Sequence, residues 1–156
     1  MELHIPSKRN GRKRWYCGPF AIAAITGCSF EQAREWANLA KGRKNLNTGI
    51  CSMTDGQVRD ALGMAGYTAV ISHWNRGEKK LTFKEFLKLP RGPDDVHLVS
   101  LTDHFVTVQG NYFIDNHTGH RVLVDYAPWQ RKRVRIAWGV IKGDPFAALK
   151  EAYNPG

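Results

Sequence analysis

The pattern of hydrophobic and polar positions divides the chain into two halves. Before about residue 90, apolar residues recur at helical spacing after three Ser/Thr-x-x-Glu/Gln capping boxes, which begin at Ser29, Thr54 and Thr82. From Val96 onward apolar residues alternate with polar ones, which is typical of strands that bury one face. Helices first and a sheet second predict an α+β architecture, and the lack of repeats or linker-like stretches predicts one domain over residues 1–156.

The two periods also predict the individual elements. A first helix begins near Cys17 and ends near Gly27, and the capping boxes open three more helices, the last running through Leu89. Antiparallel strands are predicted at residues 67–71, 96–101, 104–109, 112–115, 121–124 and 133–141. Residues 1–14 are predicted to be a weakly ordered basic arm, and residues 146–153 a terminal helix. Four tryptophans are expected in the core rather than along a cleft: Trp15, Trp74, Trp129 and Trp138.

Cys17 lies where an extended, polar stretch gives way to an apolar helix. Pro19 suits the first turn of a helix, because its missing N–H would have no partner there, and Gly18 before it allows a sharp turn. At a helix N-terminus, the free amides and the helix dipole favour a thiolate over a thiol. The pattern therefore indicates a nucleophilic cysteine, although a free cysteine is also commonly a small buried hydrophobic residue.

A histidine and an acidic residue follow on a predicted hairpin. Gly110 and Asn111 suit a two-residue loop because both residues accept positive φ. With that loop, strand pairing and the alternation of side chains place His104 and Asp115 on the same face, with about 7–8 Å between their backbones. A three-residue loop would shift the register and make Asn116 the partner of His104 instead.

The order of these groups resembles that of papain-like cysteine peptidases, in particular the peptidase C39-like branch and small papain-like proteins of phages. One motif is the Cys-Gly-Pro that begins at Cys17 and opens the helix. The other is the His-aromatic-Val-x-Val run that begins at His104 and precedes a short strand ending in Asp115. The resemblance extends from about residue 16 to about residue 138, which is most of the chain.

This resemblance implies a papain-like fold and a cysteine hydrolase, a thiol peptidase that cleaves a peptide or isopeptide bond without a metal or other cofactor. In that chemistry Cys17 attacks, His104 takes up and returns the proton, and Asp115 orients the histidine. Papain-like enzymes also carry a glutamine about six residues before the nucleophile, where this chain has Gly11. Asn10 is the nearest upstream amide and the candidate for stabilising the oxyanion, together with the backbone N–H of the cysteine.

Charge and composition limit the classes of partner and compartment. The net charge of +9 is concentrated in basic clusters at residues 8–14, 41–44 and 131–135. Such clusters attract acidic proteins or nucleic acid, and they also suit a solvated basic surface. Three irregularly spaced cysteines argue against a disulfide framework, and the apolar runs are too short for a membrane span. We expect a cytoplasmic protein with a protein or peptide substrate, and the resemblance suits a phage protein acting in a bacterial host.

Two other functional classes fit parts of the sequence. The first is a catalytically silent papain-like fold that acts as a basic module for binding nucleic acid or protein. The second is a His-Asn-His nuclease, suggested by His104, Asn116 and His120, although that motif requires a helix where the pattern here predicts a strand. Asp115, His117 and His120 are also residue types that bind metals, but histidines in turns are more commonly just polar.

Overall fold

The computed structural model describes residues 1–6, 15–50, 52–74 and 80–143, and these ranges contain helices and one sheet. The α-helices are α1 (Cys17–Thr26), α2 (Phe30–Ala40), α3 (Asp55–Met64) and α4 (Phe83–Leu87), and Val124–Tyr126 forms a 3₁₀ turn. The strands are β1 (Tyr67–Trp74), β2 (Val96–Leu101), β3 (His104–Gln109), β4 (Tyr112–Ile114), β5 (Val122–Leu123) and β6 (Val134–Lys142). Among the described residues, no helix has the length and hydrophobicity needed to cross a bilayer.

The sheet has the strand order β1-β6-β2-β3-β4-β5, and every neighbouring pair is antiparallel. Side chains alternate between its two faces, so each face has its own core. On one face Leu98 and Trp138 pack with the apolar residues of α1, α2 and α3. On the other face Val99 and Val106 pack with Phe83 of α4. The α+β class predicted from the change of period is therefore confirmed.

The sequence signals for strands and helix ends predicted the bounds of several elements correctly. Strands β2 and β3 have the predicted bounds, and α1 ends at Thr26 with Gly27 as its cap, whose φ of 75° is the left-handed conformation that favours glycine. The capping boxes at Thr54 and Thr82 are complete, whereas Ser29 accepts a hydrogen bond from the Gln32 N–H without the reciprocal bond.

Other bounds were wrong. β1 continues beyond residue 71 to Trp74, because pairing with β6 resumes after a bulge near Ser72. Helix α4 ends at Leu87 rather than Leu89, and β5 has two residues because the 3₁₀ turn follows it directly.

The first six residues are an ordered part of the domain, which corrects the prediction of a weakly ordered arm for this segment. Leu3 is 2% exposed and belongs to the core beside α1. Its N–H donates to Gln109 Oε1 at 3.0 Å, and the His4 N–H donates to the Ala24 carbonyl at 2.7 Å. The remainder of the arm, including Asn10, and the terminal helix predicted for residues 146–153 lie outside the described residues.

Candidate active site

Helix α1 presents Cys17 as its first residue. Tyr16 precedes it in an extended conformation, and residues 18–25 are all buried, so packing of the helix body fixes the position of the thiol. A Cβ atom at Gly18 would lie 2.8 Å from the Met53 sulfur, so a side chain there would require Met53 to move. The thiol itself is partly exposed. The Cys17 sulfur therefore lies, partly exposed, at the N-terminus of a buried helix.

His104 begins β3 immediately after a tight turn. Asp103 in that turn has φ of 60°, and the His104 side chain is 6% exposed. The Cys17 thiol interacts with the His104 ring and with the backbone of Phe105, and both interactions act to lower its pKa. Because His104 Nε2 lies 2.8 Å from Asp115 Oδ2, Nδ1 is the ring nitrogen that remains for the sulfur. The structure thus joins a thiol, an imidazole and a carboxylate in series.

The hairpin register predicted from Gly110 and Asn111 is confirmed. Gln109 pairs with Tyr112 across a two-residue loop, and Gly110 has φ of 55°. This register brings the Asp115 carboxylate, which is completely buried, to the His104 ring.

Asn116 does not take that place. Its side-chain amide donates to the Trp15 carbonyl at 3.3 Å instead, two residues before Cys17. The alternative in which Asn116 is the partner of His104 is therefore wrong, although Asn116 still supports the segment that leads into the cysteine.

Four donors surround the Asp115 carboxylate. Oδ1 accepts from the backbone N–H groups of His117 at 3.1 Å and Thr118 at 2.8 Å. Oδ2 accepts from His104 Nε2 and from Trp129 Nε1, the latter at 2.9 Å. A carboxylate with this many donors stays ionised and holds a fixed orientation. These four hydrogen bonds therefore keep the Asp115 carboxylate ionised although it is buried.

Trp129 is part of the site, and sequence reasoning missed it. Its ring lies 5.3 Å from those of both His104 and His117, centroid to centroid, and its φ of 68° is unusual for a residue with a side chain. Trp15 and Trp138 are buried as expected. The expectation of core packing is wrong for Trp74, which is exposed at the edge strand, and incomplete for Trp129. Its position in a loop carried no periodic signal that could have revealed this contact.

The pKa shifts of Cys17, His104 and Asp115 favour a charged pair between the cysteine and the histidine. Burial acts to raise the pKa of Cys17, but the hydrogen bonds from His104 and the Phe105 N–H outweigh it and lower the pKa. Burial likewise acts to lower the pKa of His104, but hydrogen bonds with Asp115 and Cys17 raise it to about 9. Hydrogen bonds from His104, the Thr118 N–H and Trp129 hold the pKa of Asp115 at about 2 against the opposite effect of burial. These directions favour a thiolate beside an imidazolium near neutral pH.

A cleft of about 300 Å³ opens beside the thiol and the imidazole. One wall comes from the segment before α3, which includes Ser52, Met53 and Thr54. The opposite wall comes from the ends of β2, β3 and β6. The reacting groups are therefore accessible to a molecule larger than water.

The residues that suggested a metal site or a nuclease make other contacts in the described part of the chain. Within the described ranges, no three His, Cys, Asp or Glu side chains converge as metal ligands. His120 Nδ1 is hydrogen-bonded to the Thr118 carbonyl at 2.6 Å, and both oxygens of Asp115 already accept hydrogen bonds. The hairpin leads into strand β5 and a 3₁₀ turn, whereas a His-Asn-His nuclease requires a metal-bearing helix there.

No family model, curated protein or solved structure shows a significant match to this chain.

Proposed function

We propose that this protein is a papain-like cysteine hydrolase that cleaves a peptide or isopeptide bond by acyl transfer through Cys17. The observation that carries the proposal is the continuous contact from the Cys17 thiol through the His104 ring to the buried Asp115 carboxylate, at the wall of an open cleft. A nucleophile, a base and a group that orients the base, in contact and in that order, are the requirements of thiol acyl chemistry.

The reaction follows from the roles that these positions allow. The Cys17 thiolate attacks the carbonyl carbon of the substrate, and the resulting tetrahedral intermediate collapses when the imidazolium of His104 protonates the leaving amine. The acyl group is then held as a thioester on the sulfur. His104, now neutral, removes a proton from water, which attacks the thioester; collapse of the second tetrahedral intermediate releases the carboxylic acid and the Cys17 thiolate, and the proton kept by His104 restores the thiolate–imidazolium pair. Asp115 stays ionised throughout and stabilises the imidazolium.

Donors for the oxyanion come from the start of α1 and the facing wall. The Cys17 N–H belongs to the first residue of a helix, whose amides have no partner within the helix. Ser52 and Thr54 line the same cleft, and the hydroxyl of Ser52 is a candidate further donor, whereas that of Thr54 already caps α3. This set differs from the glutamine of papain-like enzymes, and Asn10 lies outside the described residues.

Selective alkylation tests the proposal and separates it from a silent binding module. Iodoacetamide at pH 7 should label Cys17 well before Cys28, because burial raises the pKa of Cys28 while contacts with His104 lower that of Cys17. Mass mapping of the labelled peptide identifies the site. In the same experiment, p-nitrophenyl acetate should transfer its acetyl group to Cys17, and His104→Ala should abolish the transfer. Equal labelling of both cysteines in the folded protein would contradict an activated nucleophile.

A further inference from the structure

A chain of three polar side chains lies in the cleft beside the reacting groups. Ser100, on β2, is 2% exposed, and its hydroxyl donates to Asp55 Oδ1 at 2.6 Å. Asp55 is the first residue of α3, and its Oδ2 lies 3.7 Å from Arg135 Nη2 on β6. These three residues line the same cleft as Cys17 and His104. A buried hydroxyl thus orients a carboxylate, and the carboxylate faces an arginine.

The arginine at the end of this chain is the member that is available to a ligand. The Arg135 side chain is 54% exposed, and its Nη2 lies 3.7 Å from Asp55 Oδ2, which is too long for a hydrogen bond. A guanidinium presents several N–H donors in a planar fork that matches the two oxygens of a carboxylate. Asp55 therefore restrains Arg135 at the cleft while most of the fork remains free to bind.

The charges around Arg135 are of both signs. Lys132 and Arg133, from the same basic cluster as Arg135, donate hydrogen bonds to the carbonyls of Thr102 and Lys80, at 3.1 and 2.8 Å. Asp103 is the opposing carboxylate at the cleft, on an exposed turn. The net charge of +9 further favours the approach of an acidic molecule.

We propose that Arg135 is a specificity residue that binds a carboxylate of the substrate, so that the cleft selects acyl groups with an acidic side chain near the bond to be cleaved. This inference rests on the proposed hydrolase function and names its substrate class. A cationic substrate fits less well, because Asp55 Oδ1 is already bonded to Ser100 and Oδ2 already faces a guanidinium. Binding a cation at Asp55 would require displacement of Arg135.

The test compares two alkylating reagents that differ in charge. Iodoacetate and iodoacetamide react with a thiolate by the same displacement of iodide. The rate with iodoacetate divided by the rate with iodoacetamide at Cys17 is therefore independent of the fraction of thiolate. This ratio measures how strongly the site attracts a carboxylate. Arg135→Gln should lower this ratio about threefold, as expected for loss of a unit charge roughly 6 Å from the reagent in a water-like medium. Arg135→Lys, which keeps the charge, should retain most of the wild-type ratio.

Arg59→Gln is the matched control. Arg59 has the same 54% side-chain exposure and also pairs with an aspartate, Asp60, at 3.4 Å, but it does not line the cleft. Its substitution should leave the ratio within about twofold of wild type, because salt screens distant surface charges.

Each outcome decides a different point. A fall in the ratio with Arg135→Gln and no comparable fall with Arg59→Gln supports carboxylate selection. An unchanged or higher ratio with Arg135→Gln, while Cys17 remains reactive toward iodoacetamide, overturns the substrate class and leaves the hydrolase proposal intact. If Cys17 of the wild type resists both reagents, the hydrolase proposal fails, and the substrate class falls with it.

Discussion

Asp115→Asn is the substitution that tests the electrostatic design of the site most directly. The change keeps the shape of the side chain but removes its charge and replaces one acceptor oxygen by a donor group. Because the pKa of Asp115 falls from 3.8 to about 2 in the folded protein, and one pKa unit corresponds to about 1.4 kcal/mol, the charged form should stabilise the fold by roughly 2 kcal/mol at pH 6. Complete burial of the Asp115 carboxylate means that solvent screens little of this energy.

The pH dependence separates the charge contribution from simple loss of packing. The pKa of His104 is raised from 6.5 to about 9, so its contribution is complete below pH 6.5 and is lost as the pH rises through 9. The pKa of Asp115 is lowered, so its contribution is present above pH 3.8 and is lost as the pH falls toward 2. The pKa shifts of His104 and Asp115 both arise from the interaction between these two residues, so their free energies are not added. Asp115→Asn should therefore cost more stability at pH 6 than at pH 10.

Urea denaturation of the wild type and Asp115→Asn at pH 6 and pH 10 measures this difference. Asn116→Ala is the control, since it removes only the 3.3 Å hydrogen bond to the Trp15 carbonyl and should cost about 1 kcal/mol at either pH. Asp115→Asn should also slow alkylation of Cys17 near neutral pH, as His104→Ala should, because the imidazolium that stabilises the thiolate is weakened in one variant and removed in the other. An equal loss of stability at both pH values would refute the charged pair, and stronger loss of reactivity in Asn116→Ala would refute the assignment of Asp115.

Two further predictions concern the groups on either side of this carboxylate. The rate of Cys17 alkylation in the wild type should rise at a pH below the ordinary cysteine pKa. His104→Ala should move this rise to higher pH, because the effect of burial on the pKa of Cys17 is then no longer offset by the histidine. Identical profiles for the wild type and the variant would exclude the ion pair. Trp129→Phe should keep a ring beside His104 but remove the 2.9 Å hydrogen bond from the indole N–H to Asp115. We expect a loss of about 1.5–3 kcal/mol of stability in denaturant titrations and a higher pKa of Asp115, as measured by NMR. An unchanged carboxylate pKa would mean that Trp129 contributes to the site only by packing.

Local signals in the sequence were enough to predict the parts of the site that depend on neighbouring residues. The start of α1 follows from the glycine and proline after Cys17, and the shared face of His104 and Asp115 follows from the two-residue loop and the alternation of a strand. Both signals act within a few residues, so no knowledge of the remaining fold was required. The same holds for the capping boxes at Thr54 and Thr82.

The tertiary structure decided everything that joins distant segments. Trp129 reaches Asp115 from a loop with unusual backbone geometry, and Leu3 enters the core because Gln109, more than a hundred residues later, accepts its N–H. The chain from Ser100 to Arg135 exists because α3, β2 and β6 meet beside the cleft, and no spacing in the sequence encodes that meeting. Such contacts depend on how whole elements pack, and packing is set by the combined burial of many side chains rather than by any local pattern.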